Sequence, residues 1–86
     1  MAAMVVYSHV NFTGDESEVQ THDRPHVGGF WNDKISSIRI MGGRWQFFEH
    51  ANFGGNSWEL GIGEYPNVAN VGIPHDSISS FRVIEG

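Results

Sequence analysis

The chain of 86 residues contains no cysteine. A disulfide framework and a cysteine-ligated zinc site are therefore both excluded, and an apolar core or a bound ligand must stabilise the fold. No apolar run approaches the roughly 18 residues that a membrane-spanning helix requires. The opening sequence MAAMVVY also lacks the charged start and apolar core of a secretory signal. We expect no membrane partner, and the sequence leaves the compartment open.

Basic residues are scarce, since five Lys and Arg face ten Asp and Glu for a formal net charge of −5. A nucleic-acid partner is not expected, because phosphate binding requires a basic face. An acidic surface suits cations, but it equally serves solubility alone. Glycine, by contrast, is abundant at 11 residues, which indicates many tight turns between short strands. The length allows a single domain over residues 1–86.

Two stretches, residues 6–19 and 47–60, repeat one pattern at a spacing of 41 positions. A second phrase, NDKISS at 32–37, returns as HDSISS at 75–80. The chain is thus interpreted as two motifs, over about 4–41 and 44–85, within one domain. The residues shared by the first pair of stretches are His9 and His50, Asn11 and Asn52, Phe12 and Phe53, Gly14 and Gly55, and Glu18 and Glu59.

The hydrophobic pattern predicts an all-β fold. SSIRIM (36–41) and SSFRVI (79–84) alternate apolar and polar residues, as half-buried strands do, and WQFFEH (45–50) and SWEL (57–60) favour strands around a glycine turn at 54–55. No long helix is expected, only one short helical turn within 64–72. We predict positive φ at Gly14 and Gly55, each covered by the aromatic ring seven residues earlier. Two four-stranded units would pack face to face as a β-sandwich.

The doubled phrase places the same polar groups in two loops. Asp33 and Asp76 supply carboxylates, and Ser36 and Ser79 supply hydroxyls three residues later. Such oxygens suit Ca²⁺, which takes six to eight ligands, more than one loop provides. Two loops set side by side by the duplication would share two sites. The competing interpretation is that these residues only cap turns.

The aromatic-to-glycine hairpins YSHVNFTG and FFEHANFG, each followed by an Asn/Asp-Asn/Asp-x-x-Ser/Thr-Ser phrase, resemble the βγ-crystallin superfamily. The similarity extends over roughly residues 4–84 and is greatest to single-domain microbial members of the M-crystallin type. It implies two Greek-key motifs in a β-sandwich that binds two calcium ions between the loops. The ligands that it implies are side-chain or main-chain oxygens of Asn32, Asp33, Ser36, His75, Asp76 and Ser79, with the carbonyls of Ser8 and Glu49.

His75 departs from this pattern, which has Asn or Asp at that position. Imidazole nitrogen is a poor ligand for Ca²⁺, so we expect two unequal sites. Ile35 and Ile78 should point into the core, and Ser37 and Ser80 should hold the loops by hydrogen bonds rather than bind metal. Trp45 and Trp58 are assigned to packing.

Four other functions compete with calcium binding. A transition-metal site built from the five histidines lacks an HExxH motif or a cysteine partner. A Ser-His-Asp hydrolase lacks a G-x-S-x-G elbow, and so small a chain has little room for a pocket, so no enzyme is expected. A module that binds or inhibits a protein or binds a glycan, and a purely structural crystallin with little calcium binding, both stay open. We expect a monomer, and the sequence identifies no protein partner.

Overall fold

A computed structural model describes residues 1–74 and 77–86, so the predicted ligands His75 and Asp76 lie outside the described residues. The prediction of an all-β fold is confirmed. A 3₁₀ helix (Val68–Val71) occupies the stretch where a short helical turn was expected. In the described part of the chain, no helix is long and apolar enough to cross a membrane. The strands are β1 (Ala3–His9), β2 (Thr13–Glu16), β3 (Ser37–Gly42), β4 (Arg44–His50), β5 (Gly54–Leu60), β6 (Gly63–Tyr65) and β7 (Ser80–Glu85).

The strands form two antiparallel sheets with the orders β2-β1-β3-β6 and β5-β4-β7. β6 belongs to the second motif by sequence, yet it pairs with β3 of the first. The equivalent stretch of the first motif, residues 22–24, reaches β7 of the second sheet through the bridge between Arg24 and Phe81. Each motif therefore contributes backbone pairing to the other motif's sheet.

The core lies between the two sheets, as the alternating patterns require. Ile38 and Ile40 are buried, while Arg39 between them is only partly so. The predicted inward positions of Ile35 and Ile78 are confirmed, since neither side chain is exposed. Trp45 is also fully buried, and Trp58 and Trp31 pack against the core cluster from its margin.

The hairpin glycines adopt the predicted backbone, with φ of 78° at Gly14 and 77° at Gly55. The expected aromatic cover differs, because the ring nearest to a β-carbon built on Gly14 belongs to His9, and on Gly55 to His50. Tyr7 instead meets Phe12 edge on at 5.5 Å between ring centroids, and Phe48 meets Phe53 in the same way. In these turns, both phenylalanines and the asparagines before them have φ near 58°.

The second hairpin turn lies at residues 51–53, not at the glycine pair as predicted. Asn52 and Phe53 reverse the chain in the left-handed region, so β5 already begins at Gly54. The register between β4 and β5 shifts between Phe48 and His50, next to Gly55. The positive φ of Gly55 thus belongs to an irregularity at the start of β5 and not to the turn that reverses the chain.

Two buried serines, which were predicted to hold their own loops by hydrogen bonds, instead fasten the hairpins to the sheets. The Ser37 hydroxyl donates to the His9 carbonyl at 2.6 Å and accepts from the Phe12 N–H at 3.1 Å. Ser80 makes the same two bonds, to His50 at 2.6 Å and from Phe53 at 3.1 Å. Neither serine side chain is exposed, so these bonds satisfy polar groups inside the protein.

Candidate metal centre

The first loop begins as a tight turn before β3. The Asn32 N–H donates to the Gly28 carbonyl at 2.9 Å, and the Lys34 N–H donates to the Trp31 carbonyl at 3.1 Å. Asp33 has φ of 58°, a left-handed conformation that Asp tolerates better than most residues with a side chain. Its side chain is exposed. The turn therefore holds a carboxylate at the protein surface beside the Asn32 amide.

The second loop lies directly against the first. The Ser79 hydroxyl donates to Asn32 Oδ1 at 2.7 Å, which joins residues 47 positions apart. The Asp33 N–H also points to the Ile78 carbonyl at 3.3 Å. The side-by-side arrangement of the two loops, expected from the duplication, is therefore present in the structure.

Each serine of the doubled phrase is bound to the hairpin of its own motif. The Ser36 N–H donates to the Tyr7 carbonyl, and the Ser79 N–H donates to the Phe48 carbonyl, both at 2.9 Å. Ser8 and Glu49 follow those carbonyls directly in β1 and β4. The backbone of both motifs thus brings a loop serine next to the strand residue that was predicted to contribute a carbonyl oxygen.

An open cleft of about 390 Å³ lies where the two loops meet the end of β4. Four of the eight predicted ligands line it, and the sequence analysis missed His50 and Ala51, which simply follow Glu49 in the chain. The Ser77 hydroxyl, also in the lining, is engaged with the Pro74 carbonyl at 2.6 Å. The lining residues are Asn32, Asp33, Glu49, His50, Ala51, Ser77 and Ser79.

The remaining predicted ligands belong to the other half of the arrangement. Ser36 is buried at 7% exposure, and its carbonyl accepts the Val68 N–H at 3.0 Å. The Ser8 hydroxyl oxygen accepts the Asp15 N–H at 2.8 Å. The Ser8 atom predicted to bind the metal is its carbonyl oxygen. His75 and Asp76, which would complete this set, lie outside the described residues.

The donor chemistry of the cleft fits a hard cation. Carboxylate, amide, hydroxyl and main-chain oxygens are the ligand types that Ca²⁺ accepts. Among residues 1–74 and 77–86, no three His, Cys, Asp or Glu side chains lie close enough to hold a metal by themselves. The cleft therefore offers few charges and several neutral oxygens. One imidazole is present, because His50 Nε2 lies 3.4 Å from Glu49 Oε1.

The paired hairpins, tied loops and exchanged strands can be compared with known families. The Beta/Gamma crystallin family model matches residues 3–84. The chain belongs to the βγ-crystallin family. The resemblance drawn from the doubled motifs is thereby confirmed, as is the β-sandwich fold that it implied.

Similar βγ-crystallins occur in distant organisms. A solved βγ-crystallin from an archaeon is 52% identical, with a TM-score of 0.91 over 96% of this chain and 98% of that one. The Beta/gamma-crystallin of Ciona intestinalis is 35% identical over 95% of this chain and 98% of its own length. Beta-crystallin B2 of Homo sapiens is 31% identical over 94% of this chain, which spans only 40% of that relative's length.

One relative has a named metal preference. A transition-metal-ion-binding βγ-crystallin from Methanosaeta thermophila is 25% identical to this chain. Its TM-score is 0.79, and the match covers 93% of this chain and 98% of that one. Metal binding is therefore known for a βγ-crystallin of the same fold and size.

Proposed function

We propose that this βγ-crystallin domain binds calcium between its two loops, NDKISS at 32–37 and HDSISS at 75–80, and that bound calcium stabilises the fold. The observation that carries the proposal is the direct contact between the loops, with the Ser79 hydroxyl 2.7 Å from Asn32 Oδ1 at the wall of an oxygen-lined cleft. Calcium supplies the positive charge that holds such oxygens together. The proposal assigns no catalytic activity to the domain.

The residues of the cleft divide this task between them. Asp33 provides negative charge at the surface, while Asn32 and Ser79 provide neutral oxygens already fixed to one another. The carbonyl of Glu49 completes the set from the end of β4. Because few carboxylates converge, affinity should be moderate, with dissociation constants around 10⁻⁵ to 10⁻³ M.

A second ion would use the mirror-image set of Ser8, Ser36, His75 and Asp76. At the position where the first loop has the Asn32 amide, the second loop has His75, whose ring nitrogen suits calcium poorly. If that position contributes a side-chain oxygen in the first site, the two sites bind with unequal strength. A His75→Asp substitution is then expected to bring the two affinities closer together.

Calcium binding restricted to the folded state stabilises that state. At a hundredfold excess over Kd, the gain in free energy of unfolding is about 2.7 kcal/mol per site. Small domains commonly have a total stability of about 5 to 15 kcal/mol, so this gain is a large fraction. We therefore expect the midpoint of thermal unfolding to rise in millimolar calcium relative to a chelator control.

The deciding experiment is calorimetric titration with Ca²⁺ and with Mg²⁺. Ser79→Ala is expected to weaken one site at least tenfold, and Ser36→Ala to weaken the other. The matched control is Ser57→Ala, which removes an exposed hydroxyl on β5 that accepts from the Gln46 amide. The proposal fails if the unaltered domain shows neither calcium heat nor a calcium-dependent unfolding midpoint.

A transition metal is the second candidate, favoured by the His50 imidazole beside Glu49 in the cleft and by the metal-binding relative from Methanosaeta thermophila. Zn²⁺ and Ni²⁺ titrations distinguish the two. His50→Gln should abolish transition-metal binding and leave calcium binding intact. If His50→Gln has no effect on either metal, this second function is excluded.

A further inference from the structure

A second cavity, of about 160 Å³, enters the core and shares no lining residue with the metal cleft. Its floor is apolar and its rim is polar. The floor is formed by Val6, Val27, Trp31, Ile35 and Phe81, of which all but Trp31 are buried. The rim is formed by Glu18, Gln20 and Arg24. Space of this kind is rare in a close-packed interior, so its origin needs an explanation.

The duplication supplies that explanation. Position 24 of the first motif corresponds to Tyr65 of the second, 41 positions later, and Val6 corresponds to Phe47. Tyr65 packs against the core cluster and donates its hydroxyl to the Gly61 carbonyl at 2.8 Å, while Phe47 is fully buried. The second motif thus fills with two aromatic rings the volume that the first motif leaves beside Val6 and Arg24.

Arg24 is held at the cavity rim from two sides. Its backbone exchanges hydrogen bonds with Phe81 at 2.9 and 3.0 Å. Its Nη1 donates to Gln20 Oε1 at 3.3 Å, and the Gln20 amide nitrogen donates to the Glu18 carbonyl at 3.0 Å. The glutamine therefore orients the guanidinium.

Among residues 1–74 and 77–86, no ion pair involves this guanidinium. Arg39 and Arg44 pair with Glu64 and Glu59 at 3.0 and 3.3 Å, whereas within the described ranges no carboxylate lies within 4 Å of Arg24. Arg24 is exposed, and it lines the mouth of the apolar cavity. A buried apolar floor and an unpaired planar cation at its edge form a two-part site.

We propose that this cavity binds a small carboxylate with an aromatic or branched aliphatic body. The body enters among Val6, Trp31 and Phe81, and the carboxylate meets the Arg24 fork, whose planar donors match its two oxygens. The volume suits this class, since an engineered apolar cavity of about 150 Å³ takes up benzene. Glu18 at the same rim opposes an anion electrostatically and tunes the affinity downward.

Benzoate is the probe that tests the site, titrated in chelator so that metal plays no part. Binding is followed by two-dimensional NMR, with the Trp31 indole as the local signal. Saturable binding in the millimolar range is expected. Benzyl alcohol, which lacks the charge, and acetate, which lacks the ring, should each bind at least tenfold more weakly.

Variants separate the two parts of the site. Arg24→Gln keeps the backbone pairing with Phe81 and should weaken benzoate about tenfold or more, while Glu18→Gln should tighten it severalfold. Arg24→Tyr copies the second motif, fills the cavity and should abolish binding. The matched control is Arg44→Gln, which removes an equal charge on β4 outside the cavity and should change nothing.

The proposal is overturned if benzoate does not saturate, or if Arg24→Gln and Arg44→Gln reduce binding equally. Because the titration is run without metal, its failure leaves the calcium proposal untouched, and failure of calcium binding leaves this one untouched. Circular dichroism of each variant verifies the fold. If Arg24→Tyr does not fold, the effect of Arg24→Gln on benzoate binding decides whether the proposal stands.

Discussion

The second motif gives the first sheet a strand, because β6 (Gly63–Tyr65) pairs with β3 of the first motif at three positions. Within the described residues, the first motif returns one isolated bridge, between Arg24 and Phe81, and a backbone bond from the Val27 N–H to the Ser79 carbonyl at 3.0 Å. Yet the hairpins, their glycines and the serines that fasten them are the same in both motifs, down to hydrogen-bond lengths. The comparison teaches that positions which set the backbone path are duplicated, whereas positions which fill space are free to diverge.

The largest effect should come from the pair that differs most in volume. Phe47→Ala removes a fully buried ring from the filled side and should cost about 3 to 5 kcal/mol of unfolding free energy. Val6→Ala removes two methyl groups next to an existing cavity and should cost about 2 kcal/mol. Urea unfolding measures both. Equal losses of unfolding free energy would show that the surroundings of Phe47 and Val6 are packed alike, which would contradict the difference between the motifs.

The serine pair tests the part that is duplicated. Ser37→Ala and Ser80→Ala each leave a hairpin N–H and carbonyl without their buried partner, at about 2 to 3 kcal/mol. The two losses should agree within error because the bonds are the same length. Ser57→Ala, on the exposed face of β5, serves as the reference for a serine that costs little. A difference above about 1 kcal/mol between the buried pair would mean that the motifs are not equivalent here.

The smallest effect concerns the two acids that flank the exchanged segments. The Asp23 carboxylate accepts the Val83 N–H at 2.7 Å, whereas Glu64, at the equivalent position, pairs with the exposed Arg39 side chain. Asp23→Ala should cost about 1 kcal/mol, since it uncovers a backbone donor on edge strand β7. Glu64→Ala should cost less than about 0.5 kcal/mol, as surface ion pairs do. The denaturant midpoints of the two variants, measured in parallel, test this ranking. A larger loss for Glu64→Ala than for Asp23→Ala would refute it.

Much of the fold could be predicted because its signals are local. Alternation located β3 and β7, and the repeated asparagine, phenylalanine and glycine located the hairpins. The doubled phrase predicted the approach of the two loops and hydrogen bonds from Ser37 and Ser80, although to their own loops and not to the hairpins. The contact between Ser79 and Asn32 is a consequence of the approach of the two loops. Its length and the left-handed backbone of Asp33 could not be predicted.

The rest depends on relations between motifs that no local pattern records. Residues 20–31 carry no alternation, so neither the bridge at Arg24 nor its exchange with β7 was predicted. The apolar cavity lies where Val6 and the exposed Arg24 stand in place of the buried Phe47 and the core-packed Tyr65, a relation that matters only once the sheets are stacked. The ligand roles of His75 and Asp76 stay predictions, since both lie outside the described residues.

The crossing of β6 into the first sheet also bears on how the chain loses its structure. A half-chain ending near Gly43 would lack β6, one of the two neighbours of β3, and one starting there would lack the segment that pairs with β7. Neither half should therefore persist by itself, and melting should proceed in one cooperative step. A severed half would regain its missing neighbour only by borrowing it from another polypeptide.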